Sequence, residues 1–177
     1  MNREQFDHAI RAAAGVLGVT EVLVIGSQAI HASMPRALPA EALRSVEVDI
    51  VPFDDPDGVR ADLIDGSIGE ASMFHETFGY YAQGVGPTTA VLPEGSRDRL
   101  IRYEEPASGV VAWCLEPHDL WVSKAVAGRA KDAEFCDALI RRGLVDAEVL
   151  RVRVALVRDL DQSRRDLALA WIDRASG

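Results

Sequence analysis

Residues 21–27, Glu-Val-Leu-Val-Ile-Gly-Ser, open the part of the chain that decides its fold. They form an apolar run of strand length that breaks at Gly-Ser, and the residues after it are predicted to form a short helix. Residues 46–51, Val-Glu-Val-Asp-Ile-Val, form a second predicted strand, in which apolar residues alternate with the carboxylates of Glu47 and Asp49. The sequence therefore predicts a strand, a tight turn and a helix, followed by a strand with acidic side chains on one face.

Glu47 and Asp49 are the first candidates for a functional site. Residues two apart in a strand point to the same side, with Cα atoms about 6.6 Å apart, so the two carboxylates can bind one hard cation. Mg²⁺ prefers oxygen ligands, and the oxygens of a triphosphate would complete its coordination. The same pattern is typical of a solvated acidic face on an edge strand, and the residues alone leave both interpretations open.

A third informative segment covers residues 117–132. A proline in the first turn and an acid two residues later predict the start of a helix at Pro117. Lys124 is the only charged residue between Leu120 and Gly128, so its ammonium group emerges from an apolar surface. There it can extend to water, or it can hold a triphosphate as a point charge.

In this order, the three segments resemble a known family. Leu-Val-Ile-Gly-Ser-Gln-Ala-Ile at residues 23–30 and Ser-Val-Glu-Val-Asp-Ile-Val-Pro at residues 45–52 resemble the nucleotidyltransferase fold of the DNA polymerase beta superfamily. Residues 119–132 resemble the D-L-x-x-x-K-x-x-A-x-R-x-K-D signature of bacterial AbiEii-like and MenT-like nucleotidyltransferase toxins and their uncharacterised relatives. The resemblance spans roughly residues 20–140 and implies an α/β (α+β) minimal nucleotidyltransferase fold, in which a mixed sheet is flanked by helices, with further helices at the C-terminus.

The resemblance also implies roles for individual residues. Gly26 and Ser27 would bind the triphosphate of the nucleotide, while Glu47 and Asp49 would act in catalysis by holding Mg²⁺. The signature segment would supply further catalytic residues and cations for the phosphates. These are Lys124 and Asp132 as active-site residues, and Lys124, Arg129 and Lys131 as nucleotide-binding residues.

Two features depart from the superfamily pattern. The first acid is Glu47 where aspartate is usual, and its extra methylene group moves the carboxylate. Many members have a third carboxylate on a later strand, and here the choice is between Glu76, the nearest candidate, and no residue at all. A mechanism with two metal ions therefore does not follow from the sequence.

The reaction that the resemblance implies is Mg²⁺-dependent transfer of a nucleotide from a nucleoside triphosphate to an acceptor hydroxyl, with release of pyrophosphate. In the toxins it resembles, the acceptor is the 3′ end of tRNA and a neighbouring antitoxin restrains the activity, so tRNA and a cognate antitoxin are the first expected partners. A small-molecule acceptor, as in antibiotic nucleotidyltransferases, is the second candidate, because an acidic protein attracts cationic aminoglycosides. A non-catalytic nucleotide-binding or partner-binding module on this fold is the third.

The remaining patterns predict the rest of the architecture. Residues 1–143 are predicted to form the nucleotidyltransferase-like domain, and residues 144–177 a C-terminal helical extension packed on it. An irregular loop is predicted over residues 67–78, followed by short extended segments that include residues 88–92. His31, a few residues past Gly-Ser, could line a nucleotide pocket or be incidental.

Composition limits the class of protein. The 177 residues have a formal net charge of −9. No apolar run reaches the roughly 18 residues that a membrane helix needs, which predicts a cytoplasmic protein with no membrane partner. Cys114 and Cys136 lack metal-site spacing and are predicted to be buried thiols. Arginines of the last third either form one basic surface for nucleic acid or pair with nearby acids. They are Arg141, Arg142, Arg151, Arg153, Arg158, Arg164 and Arg165.

Overall fold

The computed structural model of the protein describes residues 1–34, 38 and 40–176. Packing divides the chain into two compact units. The first unit comprises Met1–Thr89 and Leu100–Leu115, and the second comprises Ala90–Arg99 and Glu116–Gly177. The domain boundary predicted after residue 143 falls inside the second unit and stays a prediction.

The first unit is built on a five-stranded mixed sheet in the order β3-β2-β1-β5-β4. Strand β1 pairs with β2 in antiparallel and with β5 in parallel orientation, while β2 pairs with β3 in parallel and β5 with β4 in antiparallel orientation. The strands are β1 Glu21–Val24, β2 Glu47–Val51, β3 Tyr81–Gly84, β4 Ile101–Glu104 and β5 Val111–Cys114. The predicted α/β class with a mixed sheet is confirmed.

The first unit also contains helices. They are α1 Arg3–Leu17, α2 Ala40–Leu43, α3 Val59–Ile68 and α4 Met73–Phe78, with a 3-10 helix over Ser27–Ala32. Asn2 and Gln5 form a capping box at the start of α1, so two of its free N–H groups are satisfied by side chains. The buried apolar stripe of α1 includes Phe6, whose ring meets that of Tyr103 on β4 at 5.7 Å between centroids. This contact fixes α1 against the sheet.

Two sequence-based predictions in this unit are wrong. Residues 67–78 are not an irregular loop, because α3 continues to Ile68 and α4 follows, with Ser72 as its N-cap accepting from the backbone N–H of His75. Residues 88–92 do not form a strand. In the first case, Ile68 is buried as the last residue of α3, while α4 has no buried residue and is bounded by its caps, Ser72 and Gly79, the latter with a φ of +74°.

His31 is a core residue of the first unit rather than part of a nucleotide pocket. Its ring is 1% exposed and stacks on Phe6 at 4.7 Å. Nε2 lies 3.1 Å from Oε1 of Gln28 and 3.3 Å from the carbonyl oxygen of Met1, so we assign the ring proton to this nitrogen. Burial, and after it the guanidinium group of Arg3, lowers the pKa of His31 to about 4.

This low pKa makes the stability of the first unit depend on pH. Between pH 6.5 and 4 the unfolded chain binds a proton at His31 and the folded chain does not, so the free energy of unfolding falls as the pH is lowered. We expect a loss of about 3 kcal/mol from this residue across the window. Urea unfolding of the wild type and of His31→Phe at several pH values would test it. An equally steep pH dependence in the variant would contradict the assignment.

In its described residues, the second unit comprises four α-helices and residues 90–99, which include a 3-10 helix over Ser96–Arg99. The helices are α5 Pro117–Ala127, α6 Ala130–Arg141, α7 Ala147–Ala155 and α8 Gln162–Ser176. Glu116 caps α5 by accepting from the backbone N–H groups of His118 and Asp119, and Gly128 ends it with a φ of +67° that favours glycine. The predicted start of α5 at Pro117 is confirmed. The fully buried side chains of the second unit include one from each helix: Trp121, Leu139, Leu150 and Ile172.

Within the described residues, no helix is both long and apolar enough to cross a bilayer. Both cysteines are free and buried, as predicted.

Candidate functional site

Gly26 and Asp49 lie in direct contact at one end of the sheet. The backbone N–H of Ile25 donates to the carbonyl oxygen of Asp49 at 3.2 Å, which brings the chain after β1 alongside β2. A Cβ atom at Gly26 would lie 1.6 Å from Oδ2 of Asp49. The φ of Gly26, −81°, is open to any residue, so the feature that favours glycine here is this close approach, since any Cβ atom would displace the Asp49 carboxylate. Ser27 follows as the first residue of the 3-10 helix and is half-buried.

Glu47 and Asp49 share one face of β2, as the alternating pattern predicts. Both are half-buried, while Val48 and Ile50 between and beyond them are fully buried on the opposite face. The carboxylates therefore lie on the face of β2 opposite to Val48 and Ile50. Two carboxylates and the backbone cradle at Gly26 therefore lie together within the first unit.

Strand β3 runs parallel to β2 and adds two further polar side chains to this face. Tyr81 is in register with Glu47, and Gln83 is in register with Asp49. The hydroxyl of Tyr81 donates to Oε2 of Glu47 at 3.1 Å. Burial, and next the charge of Glu47, raises the pKa of Tyr81 to about 12, so the hydroxyl stays a donor at neutral pH. The sequence does not place Tyr81 beside Glu47, because no local signal gives the register of two strands.

Glu76, the candidate third carboxylate, is not on a strand. It lies on α4 and is exposed, whereas the strand next to the acidic one presents Tyr81 and Gln83. In the described part of the chain, no group of three or more His, Cys, Asp or Glu side chains is placed to hold a metal ion. The oxygen donors on this face of β2 are therefore two carboxylates with a phenol hydroxyl beside them.

The signature segment forms its own charged cluster in the second unit. Nζ of Lys124 lies 3.7 Å from Oδ1 of Asp132, and Nε of Arg129 donates to Oδ2 at 2.6 Å. The side chains of Lys124 and Asp132 are only 13% and 5% exposed. The tight turn at Gly128 joins α5 to α6 and brings the three residues together. Lys131 is exposed on the first turn of α6.

Asp119, the first residue of the signature, has a structural role that sequence reasoning missed. It is 0% exposed and accepts two hydrogen bonds from Arg99, at 2.8 Å from Nε and 3.0 Å from Nη2. Nε of Arg153 lies 3.3 Å from Oδ1, at ion-pair distance but without hydrogen-bond geometry. Asp119 therefore ties residues 90–99 and α7 to α5. In the sequence, the local signal for Asp119 is its position near a helix N-terminus, which does not predict these contacts.

The arginines of the second unit are largely paired with acids, which confirms one of the two interpretations of the sequence. Arg151 contacts Glu148 and Asp173, and Arg158 contacts Glu94. Other pairs join Arg141 and Arg174 to Asp137, and Arg164 to Asp161. Arg165 instead donates to the carbonyl oxygens of Val154 and Val157. These guanidinium groups do not form one unpaired basic surface.

The residues present fit a divalent cation. Glu47 and Asp49 supply the oxygen donors that Mg²⁺ prefers, on a rigid strand, and Gly26 leaves the Asp49 carboxylate room that any Cβ atom would fill. A cation bound there would share the site with further oxygens from a ligand. The geometry is thus compatible with metal-assisted phosphate chemistry.

A family model described as "Nucleotidyltransferase of unknown function (DUF6036)" matches residues 5–175. The match includes residues of both units, so Gly26, Asp49 and Lys124 all lie inside it. No curated protein and no solved structure matches the chain. The predicted membership of a nucleotidyltransferase family is confirmed.

Proposed function

This chain belongs to the DUF6036 family of nucleotidyltransferases, and we propose that it transfers a nucleotide from a nucleoside triphosphate to an acceptor hydroxyl in an Mg²⁺-dependent reaction. The observation that supports this most is the contact between Gly26 and Asp49, which leaves the Asp49 carboxylate beside the turn after β1. If the acidic residues of β2 only formed a solvated face, no such contact between Gly26 and Asp49 would be required.

In the proposed reaction the acceptor oxygen attacks the α-phosphorus. A new P–O bond forms, the bond to the leaving pyrophosphate breaks, and the hydroxyl proton is lost to solvent. Glu47 and Asp49 are the proposed catalytic ligands of Mg²⁺, and Gly26 and Ser27 are the proposed contacts of the triphosphate through backbone N–H groups and the serine hydroxyl. Bound Mg²⁺ would supply neutralisation of the negative charge that develops on the phosphates.

In the second unit, the cluster of Lys124, Arg129 and Asp132 is the proposed binding group for phosphate charge. Asp132 is the proposed active-site acid that orients Lys124 and Arg129, since it contacts both cations. The largely buried ammonium group of Lys124 attracts a phosphate more strongly than an exposed ammonium group does, because water screens its charge less. Lys131 is proposed as a weaker, exposed phosphate contact.

The first acceptor we propose is the 3′ end of tRNA, with a cognate antitoxin as regulator, in the cytoplasm. The support is the signature shared with AbiEii-like and MenT-like toxins and the compact grouping of three of its charged residues. A cationic small molecule, as in antibiotic nucleotidyltransferases, is the second candidate. It is favoured by the formal net charge of −9 and by the pairing of the arginines of the second unit with acids.

The proposed function is tested by incubating the protein with each α-labelled nucleoside triphosphate, Mg²⁺ and either total tRNA or an aminoglycoside panel. We expect label to move to an acceptor with the wild type, and Lys124→Ala to lose about 100-fold or more of the rate. Lys131→Ala is the matched control and should lose less than Lys124→Ala, because its ammonium group is exposed. Tight nucleotide binding without transfer to any acceptor would instead support a binding module.

A further inference from the structure

We infer that strand β3 places a hydroxyl and an amide beside the proposed cation site, where a third carboxylate would otherwise stand, so that the site holds one divalent cation. In this arrangement Tyr81 is a positioning residue that fixes the carboxylate of Glu47, and Gln83 is the neutral neighbour of Asp49. The inference rests on the proposed function, because it assumes that Glu47 and Asp49 hold the cation.

The register of the two parallel strands supports the inference. Tyr81 is paired with Glu47 and Gln83 with Asp49, and paired residues on neighbouring strands point to the same face with strands about 4.8 Å apart. This is where a third carboxylate on the next strand would have to stand in order to share a cation with the first two. The chain has no acid at either position.

Tyr81 compensates for the longer side chain at Glu47. A glutamate has one more rotatable bond than an aspartate and loses more side-chain entropy when its carboxylate is fixed. The Tyr81 hydroxyl restrains the carboxylate by donating to Oε2 at 3.1 Å. Tyr81 is itself buried, and the ring of His75 lies 4.7 Å from its ring, so the donor is held in place.

Charge balance favours a single ion. Glu47 and Asp49 together supply two negative charges and Glu70 acts on Tyr81 as a third, still fewer than the four positive charges that a pair of metal ions about 3.5–4 Å apart brings together. Gln83 can offer an amide oxygen but no charge. The site therefore fits one protein-bound cation, whose remaining ligands are water or phosphate oxygens.

The test is Mn²⁺ titration of the full chain, followed through the electron paramagnetic resonance signal of free Mn²⁺. We expect one Mn²⁺ per wild-type chain, and binding about 3- to 10-fold weaker in Tyr81→Phe, from the loss of one hydrogen bond to a carboxylate. Tyr80→Phe is the matched control, because the Tyr80 hydroxyl lies 2.6 Å from Nδ1 of His8 rather than next to the acids. Gln83→Asp should bind more Mn²⁺ than the wild type at equal concentrations.

Two results would overturn the inference: two Mn²⁺ ions bound per wild-type chain, or equal affinity in Tyr81→Phe and the wild type. Glu47→Ala and Asp49→Ala separate this failure from a failure of the proposed function. If both alanine variants bind Mn²⁺ as the wild type does, the cation site itself is wrong. If they lose Mn²⁺ while Tyr81→Phe does not, the site stands and the role of Tyr81 is refuted. Thermal unfolding of each variant shows whether it is folded at the temperature of the Mn²⁺ titration.

Discussion

Replacing Gly26 by alanine is expected to reduce nucleotidyl transfer by about 100-fold or more, since a displacement of about 1 Å at a reacting group has this effect. The new methyl group would lie 1.6 Å from Oδ2 and 2.6 Å from Cγ of Asp49, so the carboxylate must move. Mn²⁺ affinity should fall with it. Transfer of α-label and Mn²⁺ titration measure the two effects, and wild-type values of both would show that the position of Asp49 is unimportant.

Gly66→Ala provides the control for this substitution. Gly66 lies on an exposed turn of α3, and a Cβ atom there meets nothing within 4 Å. Alanine in a helix interior is more favourable than glycine by about 0.5–1 kcal/mol, so this variant should be slightly more stable and fully active. Comparison of the two glycine variants separates a local effect on Asp49 from a general effect of an added methyl group.

Replacing Asp119 by asparagine is expected to destabilise the second unit by about 3–5 kcal/mol, which is the usual effect of removing one partner from a buried ion pair. Asp119 is fully buried, and its carboxylate accepts from Arg99 while Arg153 lies at ion-pair distance. The variant would leave two guanidinium groups facing a neutral amide. The free energy of unfolding in urea measures the loss.

Asp137→Asn is the matched control in the same unit. Asp137 also contacts two arginines, Arg141 and Arg174, but its side chain is 23% exposed and both partners are more than half exposed. Water screens such pairs, so we expect a loss of less than about 1 kcal/mol. Equal losses in the two variants would mean that burial does not set the strength of the Asp119 contacts.

Much of the candidate site could be predicted from the sequence because the signals are local. The alternation in residues 46–51 sets Glu47 and Asp49 on one face of β2, and the Gly-Ser break marks the end of β1. The proline and acid at the start of α5 and the isolated Lys124 are also local features. Each of these patterns depends on neighbours within a few residues, where backbone geometry dictates direction.

Other features depend on residues that are distant along the chain. The register that brings Tyr81 beside Glu47 joins two strands separated by α3 and α4, and α4 itself lies in a segment with little periodicity. The burial of Asp119 requires Arg99 and Arg153, which come from residues 90–99 and from α7. Neither arrangement leaves a signal in any single window of sequence.

The sequence by itself determined which face of β2 is acidic, where β1 and α5 begin or end, and that Lys124 emerges from apolar surroundings. The tertiary structure alone decided why position 26 is glycine, which side chain steadies Glu47, and that Asp119 is a buried structural charge. The physical reason is the range of the interactions. Strand and helix periodicity is set within a few residues, whereas close approach, register and ion pairing arise only when distant segments pack together.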